Sequence, residues 1–473
     1  MLELNSYAGL DLGTTGCKCL VFDQRGKVHG KAEVEYELIF TAEGVEQDAN
    51  EWWRVAAGTL RKACEELPIN AISISSQGIS GVPIGLDGKC LSNAISWLDA
   101  RAEKETKKIV DRIGESELFR LTGKLPYSYS LPQLAWIQQN RPEIYKKTWK
   151  YMLPLDYLNF RLTGVPLMDY SVASGTMAFD ITQHQMIPDF FRCLGLKESL
   201  FSPIRQWGVP FGRVTGDAAA EAGLMEGTIV VLGAQDQRCA ALGAGIGQGV
   251  GTVSLGTSSA ICSLVSAPAP EPFGQITCCP VDNAAWMLES VMNTSGAALK
   301  WAKNNIFGGI SYREIDALAA QSPIGANGVA FIPELASSTG VGSGNGAFQG
   351  ITLRNTKMDL ARAVLEGIAF QIDSLIQEQM SLLGGWKELR LFGGGAASEL
   401  WGQIIADVIG IPVKVPDTQE TAALGAAMIA ATGDGAYPDV WASAVHMRGM
   451  IRRCYLPDQQ AHAQYRAFRS NPK

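Results

Sequence analysis

Histidine is almost absent from this sequence. There are four among 473 residues, His29, His184, His446 and His462, and they share no motif. None of the ten cysteines forms a Cys-x-x-Cys pair, so the ligand spacing of a structural zinc site is missing. Ten scattered thiols in so long a chain are also no disulfide framework. Lys and Arg form no cluster, and 40 basic against 47 acidic residues leave a net charge of −7. That balance argues against a nucleic acid or an anionic membrane as partner. No uninterrupted apolar run approaches the ~20 residues of a membrane-spanning helix. Glu3 and Asp11 break any basic-then-apolar targeting pattern near the amino terminus. The expectation is a soluble, cytoplasmic protein. Hydrophobic residues make up 47% and charged ones 18%, the balance of a packed globular chain. Its length exceeds one ordinary core, so two or three domains are expected.

What is there centres on the stretch from Leu10 to Asp23. Two short apolar runs flank Gly13-Thr14-Thr15-Gly16, which predicts a hairpin with its polar groups at the bend. The glycines let the backbone come close to a ligand, and successive N–H groups at such a turn make a concavity suited to phosphate. Lys18 adds a positive charge. Asp11 would be repelled by phosphate unless a cation lay between them, and Mg²⁺ is bound in that way, through few carboxylates and phosphate oxygens. An ordinary Gly-rich hairpin is the alternative for this motif taken alone. A second copy tips the balance: Val253 to Cys262 repeats the design around Gly256-Thr257-Ser258-Ser259, with Ser254 opposite Asp11. Two hairpins with a single acid fit two duplicated domains that grip one nucleotide.

At these residues the chain resembles the FGGY carbohydrate kinases, the sugar-kinase branch of the actin-like ATPases. Gly346-Ala347-Phe348-Gln349-Gly350-Ile351, followed by Asp359-Leu360 and Ala363-Val364-Leu365-Glu366, follows the family's C-terminal signature. The N-terminal signature is nearly matched by Ser128, Ser130, Leu134, Trp136, Ile137 and Asn140, with Gln133 where the family usually has lysine. Within the family the layout is most similar to the xylulokinases. The resemblance implies an α/β fold of two actin-like (ribonuclease H-like) domains with a deep cleft between them. The expected division is 1–243 for sugar and Mg-phosphate, and 244–473 for the nucleotide.

Along the chain, 30–39 predicts a third antiparallel strand and 51–66 an amphipathic helix. The buried run 71–75 leads into Gln77-Gly78-Ile79-Ser80-Gly81. Loops after sheet strands carry ligand groups in α/β proteins, so Gln77 and Ser80 are candidates for substrate hydroxyls; plain turn residues are the equal alternative. Trp97-Leu98-Asp99 resembles the family's Trp-x-Asp segment near the sugar, whereas Arg101 reads foremost as a helix cap or salt bridge. The segment 171–180 reads as structural. A strong strand over 226–233 delivers Ala234-Gln235-Asp236-Gln237, and an acid at that tip is a typical site position or a helix cap. In the family the matching acid is the general base, which makes Asp236 the catalytic candidate, with Gln237 beside the substrate. Gly296 opens a helix whose first turn suits phosphate. Residues 336–346 form a Ser/Gly-rich loop. The bend Gly393-Gly394-Gly395-Ala396-Ala397-Ser398 suits an adenine lying on it through Gly394, Gly395, Ala396 and Ser398, or merely tight packing. The small-residue run 421–433 is expected to be the last helix of the fold.

The resemblance therefore implies transfer of the ATP γ-phosphoryl to a hydroxyl of a small sugar, most simply a ketopentose, with Mg²⁺ held by Asp11. The substrate-side motifs depart from the xylulokinases: Gly78-Ile79-Ser80-Gly81 replaces Gln-Met-His-Gly, and Gln237 replaces Asn. Another ketose, a polyol, an autoinducer-like dihydroxy compound, or a degenerate ATP-binding regulator therefore stays open. Oligomeric state is not legible; a homodimer is simply the commonest arrangement.

Overall fold

The protein, a computed structural model, is described over residues 5–65, 67–268, 276–336 and 344–470. A six-stranded sheet is built from β1 (Ser6–Leu12), β2 (Gly16–Asp23), β3 (Val28–Glu35), β4 (Ala71–Ser76), β5 (Pro210–Arg213) and β6 (Ile229–Gln235), in the order β5-β6-β4-β1-β2-β3. A seven-stranded sheet follows from β7 (Val250–Ser254), β8 (Ser259–Val265), β9 (Thr277–Pro280), β10 (Trp286–Met292), β11 (Glu388–Phe392), β12 (Val413–Pro416) and β13 (Ile451–Tyr455), in the order β9-β10-β8-β7-β11-β12-β13.

The two sheets carry one topology. In the first, β1 runs antiparallel to β2 and parallel to β4, β4 is parallel to β6, and β5 is antiparallel to β6. In the second, β7 relates to β8, β11, β12 and β13 in the same way. Only β9 has no counterpart. Parallel strands at the centre of such a sheet are covered on both faces, and β1 and β4 are accordingly buried along almost their whole length.

The outer face of the first sheet is covered by α1 (Ala49–Ala63), whose Trp52, Val55, Ala56 and Leu60 fall at helical spacing and are buried. Asp48 caps it by accepting from the Asn50 N–H. The outer face of the second sheet carries α4 (Lys357–Leu383) and α5 (Glu399–Ile409). Between the sheets lie α2 (Asp236–Ala244), which continues β6, and α6 (Thr421–Gly433), which follows β12. By topology α2 and α6 are equivalent, and they pack on each other backbone to backbone. A Cβ on Gly243 would stand 2.0 Å from the Thr421 carbonyl oxygen, and one on Gly425 2.0 Å from that of Cys239. A Cβ on Gly9 of β1 would lie 1.9 Å from the Ala423 carbonyl oxygen, so α6 also lies flat on the first sheet.

One expectation changes here. The run 421–433 is not the last helix: Val440–Met447 and Gln459–Ser470 come after it. The cut at 243/244 separates the sheets, yet α6 crosses it to cover the first sheet, because its small, all-round buried side chains (Ala423, Leu424, Ala426, Ala427) need a surface on every side. Of the Ser/Gly-rich stretch 336–346, residues 337–343 lie outside those described. Among the described residues no helix is long and apolar enough to cross a membrane, and no disulfide links the ten cysteines.

Candidate active site

The turn after β1 is held from below by buried side chains. Gly13 N–H donates to the Gly16 carbonyl at 2.8 Å, and the Tyr36 hydroxyl donates to the Gly13 carbonyl. Gln47 Nε2 donates to the Thr14 carbonyl at 2.9 Å, and Gln77 Nε2 to Gln47 Oε1 at 3.1 Å. Trp97 Nε1 donates to Thr14 Oγ1 at 2.9 Å. Thr15 stays exposed at the tip. This network fixes the turn before any ligand arrives, which preorganises its N–H groups. Gln77 thus acts as a buried prop; its Oε1 has no partner.

Asp11 lies one residue before the end of β1, with Ser75 of β4 beside it in register. Ser75 Oγ donates to its carboxylate at 2.7 Å. Burial pushes the Asp11 carboxyl up to about 6, against the opposing pull of the Ser75 hydroxyl and the Lys18 charge. Lys18 is not free for phosphate: its Nζ pairs with Glu420 Oε2 at 3.0 Å, ahead of α6, and Lys31 holds the other oxygen at 2.9 Å.

Asp236 opens α2 at the carboxyl end of β6. Gln235 is the N-cap, and its N–H is held by Ser171 Oγ at 2.9 Å, so the segment 171–180 sets the position of this strand tip. Asp236 Oδ1 accepts from the Gln237 N–H at 2.6 Å and from Gln235 Nε2. It makes no ion pair among the described residues, because the nearby Arg238 is taken by Glu289 at 2.8 Å. The carboxyl is reached by water yet enclosed by protein. Burial first, then the charge of Asp11, pushes it up to about 7. Asp236 therefore senses the charge of Asp11 across the ends of β6 and β1, with β4 between them. Among the described residues no group of three or more His, Cys, Asp or Glu side chains stands ready to hold an ion by itself. Asp11 suits an ion that takes one or two carboxylates and fills its remaining positions with phosphate and water oxygens.

The second hairpin turn is stapled to α3 (Gly296–Asn305). Gly296 N–H donates to the Gly256 carbonyl at 2.9 Å and Ala297 N–H to the Thr257 carbonyl at 3.0 Å. A Cβ on Gly296 would lie 2.3 Å from the Gly256 oxygen, so only glycine fits there. Thr257 and Ser258 are exposed at the tip. Gly395 N–H donates to the Leu255 carbonyl at 2.9 Å, which seats the 393–395 bend against the base of the same hairpin. Gly394 faces open space.

Several of the residues singled out do structural work, Arg101 in the way its sequence suggested and the others in ways it did not disclose. Ser80 is fully buried, and its Oγ accepts from the Trp97 N–H at 3.0 Å. Ala396 points into the core of the second lobe, and Ser398 Oγ caps α5 by accepting from the Trp401 N–H at 3.0 Å. Arg101 is tied to Asp99 and Glu46 at 2.9 and 3.0 Å. Gln133 is buried and bonds neutrally to the Ser128 carbonyl and the Tyr151 hydroxyl. Sequence reasoning passed over Tyr36, Gln47, Ser75 and Glu420, since nothing local marks them. It also passed over the φ of +70° at Ile79, a strained conformation for a β-branched residue that clusters at ligand sites.

The N-terminal domain pattern of the FGGY family of carbohydrate kinases matches residues 6–243, and its C-terminal domain pattern matches residues 251–433. A xylulose kinase of Staphylococcus epidermidis is 30% identical over 98% of this chain and 94% of its own. A gluconokinase of Bacillus subtilis is 27% identical over 98% and 94%. The solved structure of a xylulose kinase from Lactobacillus acidophilus shares the fold, with a TM-score of 0.91 and 24% identity over 98% of this chain and 96% of that one. Two matching domain patterns, a duplicated α/β lobe and an acid at the tip of β6 converge: this chain belongs to the FGGY family of carbohydrate kinases and is an ATP-dependent sugar phosphotransferase.

Proposed function

We propose that this kinase phosphorylates a small neutral ketose, a ketopentose such as xylulose in the first instance, with Asp236 as general base. The reading rests on one observation. Asp236 is a carboxyl at a strand tip, without an ion pair among the described residues and raised to about 7 by burial and by Asp11 against the weaker pull of Arg238. Such a group is ionised at working pH and still basic enough to accept the proton of an attacking hydroxyl. Gln237, Gln77 and the 78–81 loop lie on the substrate side. The turns at Gly13–Thr15 and Gly256–Ser258, with Gly296 and the 394–395 bend, hold ATP; Lys18 reaches its phosphates only by giving up Glu420. The chain divides functionally at 243/244, and the many free thiols suit a cytoplasmic setting. Asp11 would hold Mg²⁺, which neutralises charge on the β- and γ-phosphate oxygens.

Because a protonated base is inactive, kcat/KM should fall as pH drops through about 7 in the free enzyme. Asp11→Asn removes a neighbouring negative charge, so the acidic limb should move to lower pH while the Mg²⁺ requirement for turnover rises. A pH–rate profile and a Mg²⁺ titration check both; a limb that stays in place removes the coupling, and an unchanged Mg²⁺ dependence removes Asp11 from the metal site.

Substrate is tested with a coupled ADP-release assay against D-xylulose, gluconate, glycerol and other ketoses and polyols. Stimulation by xylulose above the others is expected. The gluconokinase relative makes gluconate the competing reading, and preference for it would shift the assignment to an aldonate; a flat response to all would point to a regulator.

A further inference from the structure

At the end of the second lobe away from its hairpin turn, the structure holds a cavity of about 860 Å³. One wall is the segment 245–250, which leads from α2 into β7 and so joins the lobes. The other walls include Ser263 of β8, Trp386 ahead of β11, Trp441 and Val445 of the helix 440–447, and Arg448 after it. Val250 begins β7 and the turn at 255–258 ends it. At ~3.3 Å per residue the cavity lies roughly 15 Å from that turn, so its occupant is neither the sugar nor the transferred phosphoryl group. The volume falls in the range of ligand pockets.

The walls say what would fill it. Trp386 and Trp441 bring two indole rings to the cavity. Arg448 makes no ion pair among the described residues, and its charge falls on another cation, Arg390, whose own Nε is buried without a partner. The carboxylate beside Arg390, Glu388, is already shared between Arg390 and Lys414. The cavity thus offers a cation and two indole rings, and among the described residues no acidic side chain lines it.

We propose that this cavity is a second ligand site, which takes a small organic anion with a flat ring. The anionic group pairs with Arg448, and the ring lies against Trp386 and Trp441. Guanidinium groups suit carboxylate and phosphate alike, so the shared chemistry is a ring with one anionic arm.

The test uses the whole protein, with the nucleotide site saturated by a non-hydrolysable ATP analogue, and 8-anilinonaphthalene-1-sulfonate as fluorescent probe. Saturable one-to-one binding is expected. Arg448→Gln should weaken it about tenfold or more. Adenosine monophosphate should displace the probe at concentrations where inorganic phosphate does not. Val445→Trp, at a side chain 59% exposed at the rim, should block binding with an unchanged melting temperature, which guards against variants that merely misfold. The proposal fails if binding does not saturate, if Arg448→Gln and Val445→Trp both leave it intact, or if phosphate competes as well as the nucleotide.

Discussion

Asp236→Asn is expected to lower the rate of sugar phosphorylation by about 10²–10⁴-fold while ATP still binds. The substitution keeps the shape of the side chain and its place at the start of α2. Its oxygen still accepts the Gln237 N–H that Asp236 Oδ1 holds at 2.6 Å, so the local turn survives. What is lost is a carboxylate able to take up a proton as the sugar oxygen attacks. Because phosphoryl transfer relies mostly on positioning and charge neutralisation, the residual rate should stay above background. Single-turnover kinetics at saturating ATP separate the step from binding: kcat should collapse and the nucleotide dissociation constant should hold. Turnover near that of the unaltered enzyme would take Asp236 out of the base role.

The largest structural effect is expected at the crossing of α2 and α6. Gly425→Val places a Cβ where the Cys239 carbonyl oxygen already stands, at 2.0 Å. Neither backbone can retreat, because α2 lies against the second sheet and α6 against the first, with Gly9 of β1 pressed on Ala423. Overpacking of this kind costs about 3 kcal/mol or more, a large part of the ~5–15 kcal/mol by which a protein is stable. Urea unfolding should show a marked drop in midpoint, or the variant should fail to accumulate in folded form. Gly58→Ala is the control. Gly58 lies within α1, and a Cβ there meets nothing within 4 Å, so that change should add about 0.5–1 kcal/mol by restricting the unfolded chain. Equal stability of Gly425→Val and the parent would mean that the two helices separate more easily than their contact implies.

Much of the site is legible because it is local. A glycine turn between two apolar runs needs only a dozen residues to declare itself, and its recurrence at Gly256 announces duplication without any coordinates. The position of Asp236 follows from a β-branched run that ends beside small helix-forming residues. What stays hidden in the sequence does so for one reason: hydroxyls and cations can be spent on partners far away in sequence. Ser80 gives its oxygen to the Trp97 N–H, and Lys18 meets Glu420, 402 residues on. Neither partner is visible from the neighbourhood of the residue. Ile79 is missed in the opposite sense, since a β-branched residue at φ +70° goes against local preference and is held there by its surroundings.

The amino-acid pattern alone pointed to the α/β class and the doubling of the lobe and marked the two acids as candidates, because each depends on periodicity or on a short motif whose physics is complete within a few residues. Tertiary structure alone decided that α6 returns to cover the first sheet. It likewise decided that Asp236 lies close enough to Asp11 to feel its charge, and that a cation is left without an ion pair among the described residues, beside a cavity at the far end of the second lobe. These depend on which distant backbones approach each other and on how far water is excluded between them, quantities that no stretch of sequence carries by itself.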